Sequence, residues 1–316
     1  MIKLRRSFIV GLKGQFLTTK EISFLKTYKP WGVILFSRNI KSIKQTQKLT
    51  SDIKRILRDK NYPILIDQEG GKINRLKKFI DTSKFSSEFF NKLYLKNKRK
   101  FYIYYDVYIN QISYLLNLLG ININTVPVLD VTRPNSNKII GDRSYSSNPL
   151  NVSIIGKYCI KKFHQNGIAT VIKHIPGHGL AKSDSHKKLP IVKQNIKQLN
   201  KIDFYPFKKQ SSFLAMTAHI LYKSIDNKYS ATHSPKIIKI IRNKIGFKNL
   251  IVTDDISMKA LKLNITQNTT QAFKAGCNLV LHCNGNYKEM IAVAKNSPMV
   301  DKFIIKKTSQ LTNIIR

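Results

Sequence analysis

Short apolar or β-branched runs recur along the chain, separated by longer stretches of mixed polarity. The runs are Phe8-Ile9-Val10, Gly32 to Phe36, Pro63 to Ile66, Ile121 to Asn124, Ala169 to Ile172, Phe213 to Met216, Leu250 to Thr253 and Asn278 to Leu281. Each reads as a buried strand. Between them, Ser42 to Arg58, Pro149 to Asn166, Gln194 to Gln210, Ser234 to Ile245 and Thr266 to Ala275 are compatible with helices. Repeated strand-then-helix units predict a parallel sheet, and eight of them closing on themselves predict an α/β protein with a single (β/α)8 barrel. A doubly wound open sheet is the runner-up, but neither G-x-G-x-x-G nor G-x-x-x-x-G-K-[ST] follows an early strand to bind a nucleotide. No low-complexity linker, hinge or short repeat marks a boundary, so one domain is expected over residues 1–316.

Polar residues collect just past the ends of these strands: Arg38, Asp67, Asp130, Lys173 with His174, His219 and Asp254. In a (β/α)8 barrel such positions surround one mouth, where the chemistry sits. Asp254 follows Leu250-Ile251-Val252, and a carboxylate there is costly unless something uses or pairs it. Its neighbour Asp255 is expected to point away and, with Ser257, to start the next helix. Asp67 opens Asp67-Gln68-Glu69-Gly70-Gly71, where paired glycines allow close backbone approach. Arg75 and Arg143 are planar donors in a chain whose cations are mostly lysine. They suit ligand clamping, and they suit structural ion pairs equally well.

The segment Lys173 to Pro190, KHIPGHGLAKSDSHKKLP, packs three histidines and a carboxylate into a loop punctuated by Pro176, Gly177 and Gly179. Asp184 and His186 are two apart, so in an extended stretch they face the same way, and a carboxylate beside an imidazole fixes its tautomer and raises its basicity. This describes an acid/base dyad; a solvated turn without a role is the bland alternative. His174, His178, Asp184 and His186 are all metal-ligand types, but Pro176 and Gly177 break any helix joining the first two, and H-E-x-x-H is absent. No metal and no cofactor are expected.

Composition changes this picture little. A chain of 316 residues with 42% hydrophobic content can bury a large core. Three cysteines without a C-x-x-C pair suggest neither disulfides nor a cysteine zinc site, and fit a reducing compartment, hence a cytoplasmic location. The apolar stretch Phe8 to Leu12 is too short for a signal-peptide core, and no run suffices to span a bilayer, so a soluble chain is expected. The formal charge of +39 ordinarily suggests a polyanion partner. Its spread along the chain, beside abundant Ile and Asn, fits compositional drift in an AT-rich genome instead. The densest patch, Phe89 to Tyr108, interleaves aromatics with Lys92, Lys96, Lys98, Arg99 and Lys100. It could bind RNA or an anionic membrane surface, but its spacing is read first as one amphipathic helix with a solvated basic face.

These residues also match a known family. The chain closely resembles bacterial β-N-acetylhexosaminidases of glycoside hydrolase family 3, of the single-domain type that acts in cell-wall recycling, from about Trp31 to Asn284. The resemblance rests on GVILFSRN (Gly32 to Asn39), DQEGG (Asp67 to Gly71), PVLDV (Pro127 to Val131), GDRSY (Gly141 to Tyr145), KHIPGHG with DSH (Lys173 to His186), AHI (Ala218 to Ile220) and TDDISM (Thr253 to Met258). It implies that Asp254 is the nucleophile of a retaining mechanism, His186 the proton donor and later base, and Asp184 its partner. It further implies sugar binding by Asp67, Arg75, Arg143, Lys173 and His174. The chain departs from the family at Lys72, where arginine is usual, at Ile175 and near Leu180, none of them an assigned site residue. The implied substrate is a GlcNAc-terminated muropeptide, acted on by a monomer with neither a nucleic-acid partner nor a membrane span. The competing expectations are a family-3 β-glucosidase or β-xylosidase, and a nucleic-acid or envelope-binding protein on a degenerate barrel.

Overall fold

All eight runs become strands of one closed, all-parallel barrel in the computed structural model, which describes residues 2–133, 140–181, 183, 185 and 188–315. In chain order these are β1 (Arg6–Gly11), β2 (Pro30–Leu35), β3 (Ile64–Ile66), β4 (Ile123–Asn124), β5 (Ala169–Ile175), β6 (Leu214–Thr217), β7 (Leu250–Asp255) and β8 (Leu279–His282). Each pairs with its neighbour in sequence, and β8 returns to β1 with Phe8 opposite Val280 and Val10 opposite His282. The fold is a single (β/α)8 barrel.

Successive side chains on a strand face opposite ways, and here both faces are covered. Ile9, Ile34, Leu65, Ile123, Val171 and Leu250 fill the barrel interior. Phe8, Val10, Val33, Leu35 and Ile64, on the alternate positions, pack outward under the helices. A strand buried on both faces reads as a continuous apolar run, which is why the eight were legible without alternation. The helix Lys302–Thr312 reaches the N-terminal end of the barrel: Ile304 and Leu311 join the inner cluster, and Trp31 at the start of β2 donates its indole N–H to Thr308 Oγ1 (2.8 Å). The opposite, C-terminal end of the strands therefore carries the open mouth.

Several helices start where their caps put them. Ser42 accepts the Gln45 N–H ahead of Ile43–Ile56, and Asn148 caps Pro149–Gln165 with proline in its first turn. Two sequence expectations change. The helix expected within Gln194 to Gln210 is only Ile196–Lys201, followed by a 3-10 turn at Tyr205–Phe207. Pro206 cannot donate to an extended helix, and Phe204 and Phe207 are buried by that turn. The patch expected as one amphipathic helix is two helices, Ser87–Lys96 and Lys98–Leu118, broken at Asn97. Asn97 is extended and its side chain accepts the Lys100 N–H, so it caps the second helix; the break folds Tyr94 onto Phe101, ring centres 5.2 Å apart. Among the described residues, no helix is long and apolar enough to cross a membrane.

Candidate active site

A cavity opens at the C-terminal ends of the strands. Asp67, Arg75, Arg143, Lys173, His174 and Asp254 all border it, so the mouth gathers six of the eight residues expected to catalyse or to bind the sugar. Asp184 and His186 lie outside the described residues. Ser185, between them in sequence, also borders the cavity; its carbonyl accepts the Ala260 N–H (3.2 Å), and its hydroxyl lies 3.4 Å from His178 Nε2.

The cavity is built around a buried ion network. The Lys173 ammonium, 2% exposed, contacts Asp67, lies 2.6 Å from Glu69 Oε1 and donates to Thr125 Oγ1 (3.1 Å). Asp67 also accepts from Thr125 (2.6 Å) and, through its other oxygen, from Arg75 (2.9 Å). Arg143 grips Glu69 in a two-pronged contact at 2.7 and 2.8 Å. Glu69, on no list of expected site residues, is therefore the hub that joins Lys173 to Arg143. Burial works against charge on Asp67 and Glu69, yet the cations beside each outweigh it and hold both carboxyls below the usual range. Burial likewise disfavours the Lys173 ammonium, and the two carboxylates more than compensate, raising its pKa. Arg143 thus serves as an ion-pair partner while bordering the cavity.

A second cluster orients the histidines. Asp130, fully buried, accepts from His174 Nδ1 (2.7 Å), the His174 N–H (3.2 Å) and the His178 N–H (2.6 Å). With Nδ1 so engaged, Nε2 is the nitrogen of His174 left for a ligand. His219 is held between Thr232 Oγ1 (2.7 Å) and the Asp255 carbonyl (3.0 Å). A carbonyl only accepts, so His219 carries its proton on Nε2, and burial lowers its pKa. Arg38 does not border the cavity; its guanidinium ties the Leu12 carbonyl (2.8 Å) to that of Cys283, joining the loops after β1 and β8.

Among the described residues three carboxylates border the cavity, and their surroundings separate them. Asp67 is taken up by the ion network. Asp255 accepts from the Ser257 N–H (3.1 Å), the Ser257 hydroxyl and the Cys283 N–H (3.2 Å). It therefore closes a turn after β7 rather than starting a helix: the next helix, Ile265–Ala275, is capped by Asn264. It also borders the mouth. Asp254 accepts a single hydrogen bond, from the Asp255 N–H to Oδ1 (2.8 Å), and among the described residues Oδ2 has no partner. Burial raises its pKa, but His219, His174, that N–H and Lys173 together lower it further, so the carboxylate stays ionised at neutral pH. Ile34, Phe36, Met216 and Leu281 complete the wall with apolar surface.

This arrangement, a carboxylate with one oxygen unengaged among the described residues facing a cluster of fixed polar groups at a barrel mouth, suits attack on a polar substrate. A profile of the family described as "Glycosyl hydrolase family 3 N terminal domain" matches residues 14–314. The chain belongs to glycosyl hydrolase family 3. It is 30% identical over 281 residues to the beta-hexosaminidase of Methylobacillus flagellatus, an alignment covering 87% of this chain and 80% of that one. It is 32% identical over 279 residues to the beta-hexosaminidase of Neisseria meningitidis serogroup A, with 85% and 75% covered. NagZ from Neisseria gonorrhoeae in complex with N-trifluoroacetyl-D-glucosamine superposes with a TM-score of 0.86 at 26% identity, covering 99% of this chain and 91% of that one. A family 3 beta-N-acetylglucosaminidase from Paenibacillus sp. gives 0.83 at 25%, covering 99% and 61%. Within family 3 the chain falls in the β-hexosaminidase group.

Sequence reasoning on this family 3 site missed Glu69, Thr125 and the function of Asp130. One signal was present: Glu69 is an uncommon acid in a lysine-rich chain, two residues from Asp67 in an extended stretch, so both face one way.

Histidines largely shielded from water give the fold a pH signature. Burial lowers the pKa of His164, His178 and His233 to about 4 each, for His178 with help from His174 and for His233 from His219. The unfolded chain protonates its histidines near about 6.5, so it binds more protons than the folded one between those values. The stability these groups contribute is complete above about pH 6.5 and is lost as pH falls toward 4. Asp203, raised to about 6 mainly by burial, opposes the trend, one group against these three and His219, whose pKa burial also lowers. The thermal midpoint is expected to drop between pH 7.5 and 5; a flat midpoint over that interval contradicts this assignment.

Proposed function

We propose that this β-hexosaminidase is a retaining exo-β-N-acetylglucosaminidase that removes terminal GlcNAc from peptidoglycan-derived muropeptides through a covalent glycosyl-enzyme. The observation that carries the reading is Asp254: of three carboxylates at the mouth, it alone is ionised with an oxygen unengaged among the described residues. Asp254 Oδ2 attacks the anomeric carbon as the glycosidic bond breaks, and His186 gives its proton to the departing oxygen. Water, deprotonated by His186, then attacks the anomeric carbon of the glycosyl-Asp254 ester and releases GlcNAc with its β configuration retained. Asp184 holds the imidazole of His186. Most glycosidases use two carboxylates for these jobs, so a histidine acid departs from the common template.

Asp67, Arg75, Lys173, Arg143 and His174 bind the sugar hydroxyls and the acetamido group. Support comes from their common position on one cavity, from the second Asp67 oxygen and Arg75 at its rim, and from the N-trifluoroacetyl-D-glucosamine bound by a similar structure. On the same reading, residues 1–316 are one domain that works as a monomer in the cytoplasm without a cofactor.

Turnover of a chromogenic β-GlcNAc substrate beside its glucose counterpart tests the sugar preference. Activity on the glucoside alone would establish a family-3 β-glucosidase instead. His186→Ala is expected to slow substrates with poor leaving groups far more than activated aryl glycosides, on the order of 100-fold or more for the former, because only these need the departing oxygen protonated. Asp184→Ala should do the same more mildly. Equal losses on both substrate types would assign His186 to binding.

A further inference from the structure

One flank of the barrel differs from the rest of the surface. Of seventeen exposed large apolar side chains among the described residues, eight fall within the thirty residues from Phe85 to Tyr114. Compositional drift would scatter them. Ile103, Tyr104, Val107 and Tyr114 sit along one side of the helix Lys98–Leu118, at spacings of three, four and seven, and each is 54 to 64% exposed. Beside them, Phe85, Phe89 and Leu93 line a groove of about 370 Å³ with Tyr104 and Val107. The sequence reading expected a solvated basic face here, and the structure adds an apolar stripe to it.

The cations stand at one end of that stripe. Lys96, Lys98, Arg99 and Lys100 are exposed at the junction of the two helices, with Lys92 one turn earlier. The two carboxylates on this helix pair are both engaged: Glu88 by Lys92 (3.0 Å), and Asp106 by Lys162 (3.1 Å) and the Tyr158 hydroxyl (2.5 Å). The patch adjoins the loop after β3 that carries Asp67, because Tyr108 donates to the Glu69 carbonyl (3.3 Å) and Gly71 donates to that of Thr82 (2.9 Å).

Three occupants could cover such a face, and its chemistry separates them. RNA binds on aromatic stacking platforms; Phe85, Phe89, Tyr102, Tyr104 and Tyr114 offer π faces, but Leu95, Ile103 and Val107, exposed among them, offer none and are left unused by stacking. A second copy would set these cations against their own kind in a chain of formal charge +39. A lipid surface uses every part: aliphatic side chains enter the acyl boundary, tyrosines sit at headgroup level, and lysines meet anionic headgroups. We propose that this helix pair docks the enzyme reversibly on an anionic lipid surface.

The test is co-sedimentation of the full chain with vesicles of phosphatidylcholine alone and of phosphatidylcholine mixed with phosphatidylglycerol. Binding is expected to the mixed vesicles only, weakening as salt is raised. The triple variant Lys96→Gln, Lys98→Gln, Lys100→Gln should lower that binding on the order of 10- to 100-fold. Ile103→Asp with Val107→Asp should abolish it. Both variants should keep their thermal midpoint and their turnover of a soluble chromogenic substrate, since none of these residues borders the cavity. Because vesicle binding is read without turnover, it stands or falls separately from the proposed reaction. No binding to mixed vesicles, equal binding to neutral ones, or unchanged binding of the aspartate variant overturns the proposal. So does a dimer that the aspartate variant dissolves, or salt-sensitive binding of RNA in place of vesicles.

Discussion

Asp254→Asn is expected to lower kcat on the order of 10^4-fold or more, the scale seen when a nucleophile is removed, while leaving the fold and the affinity for GlcNAc largely intact. The side chain accepts one hydrogen bond, from the next residue's N–H, and an asparagine oxygen can keep it. It supports no core, so the loss is chemical rather than structural. A 2-fluoro or 5-fluoro glycosyl inhibitor should label Asp254, found by mass spectrometry of the digested protein. Asp255→Ala provides the contrast: it removes the acceptor of the Ser257 and Cys283 N–H groups and should loosen the turn after β7, lowering the thermal midpoint with activity. Label on Asp255 would reverse the two assignments.

Lys173→Met should have the largest effect on stability of any single change at the mouth. Its ammonium is almost wholly buried between Asp67 and Glu69, whose charges it holds in place. Removing one member of a buried ion cluster costs up to about 3–5 kcal/mol; Arg143 still pairs Glu69 and Arg75 still pairs Asp67, but each carboxylate loses its most buried cation, a loss that equilibrium unfolding in urea would measure. Sugar binding should weaken with it, because Asp67, which in turn holds Arg75, loses the ammonium that fixes it. Arg75→Ala is expected to cost less, since its guanidinium is a quarter exposed and Asp67 keeps Lys173 and Thr125. A loss for Lys173→Met no larger than that for Arg75→Ala would show that the network is solvated and that Glu69 is not its hub.

The barrel, its eight strands and most of its mouth were legible in the sequence, because the signals that specify them are local. A strand buried on both faces declares itself as an unbroken apolar run, and a polar residue directly after it must lie at the strand's end. Asp67, Lys173, His174 and Asp254 were found by that reasoning alone. Arg75 and Arg143 were singled out by residue type, with clamp and ion pair left open; Asp184 and His186, which lie outside the described residues, were read as an acid/base dyad from their spacing, and the resemblance to family 3 implied which of them gives the proton.

What only the tertiary structure decided involves partners far apart in the chain. Glu69 meets Lys173 and Arg143 across separations that no periodicity records, and Asp130 reaches back to orient His174 and His178. Asp255 differs from Asp254 through the Cys283 N–H of the next strand's end, not through anything in the pair itself. The bare stripe from Ile103 to Tyr114 likewise depended on how much of the helix the barrel covers. Burial of a strand is set by its own composition and the closed sheet around it, whereas the state of a charged or surface side chain is set by which distant neighbour arrives beside it.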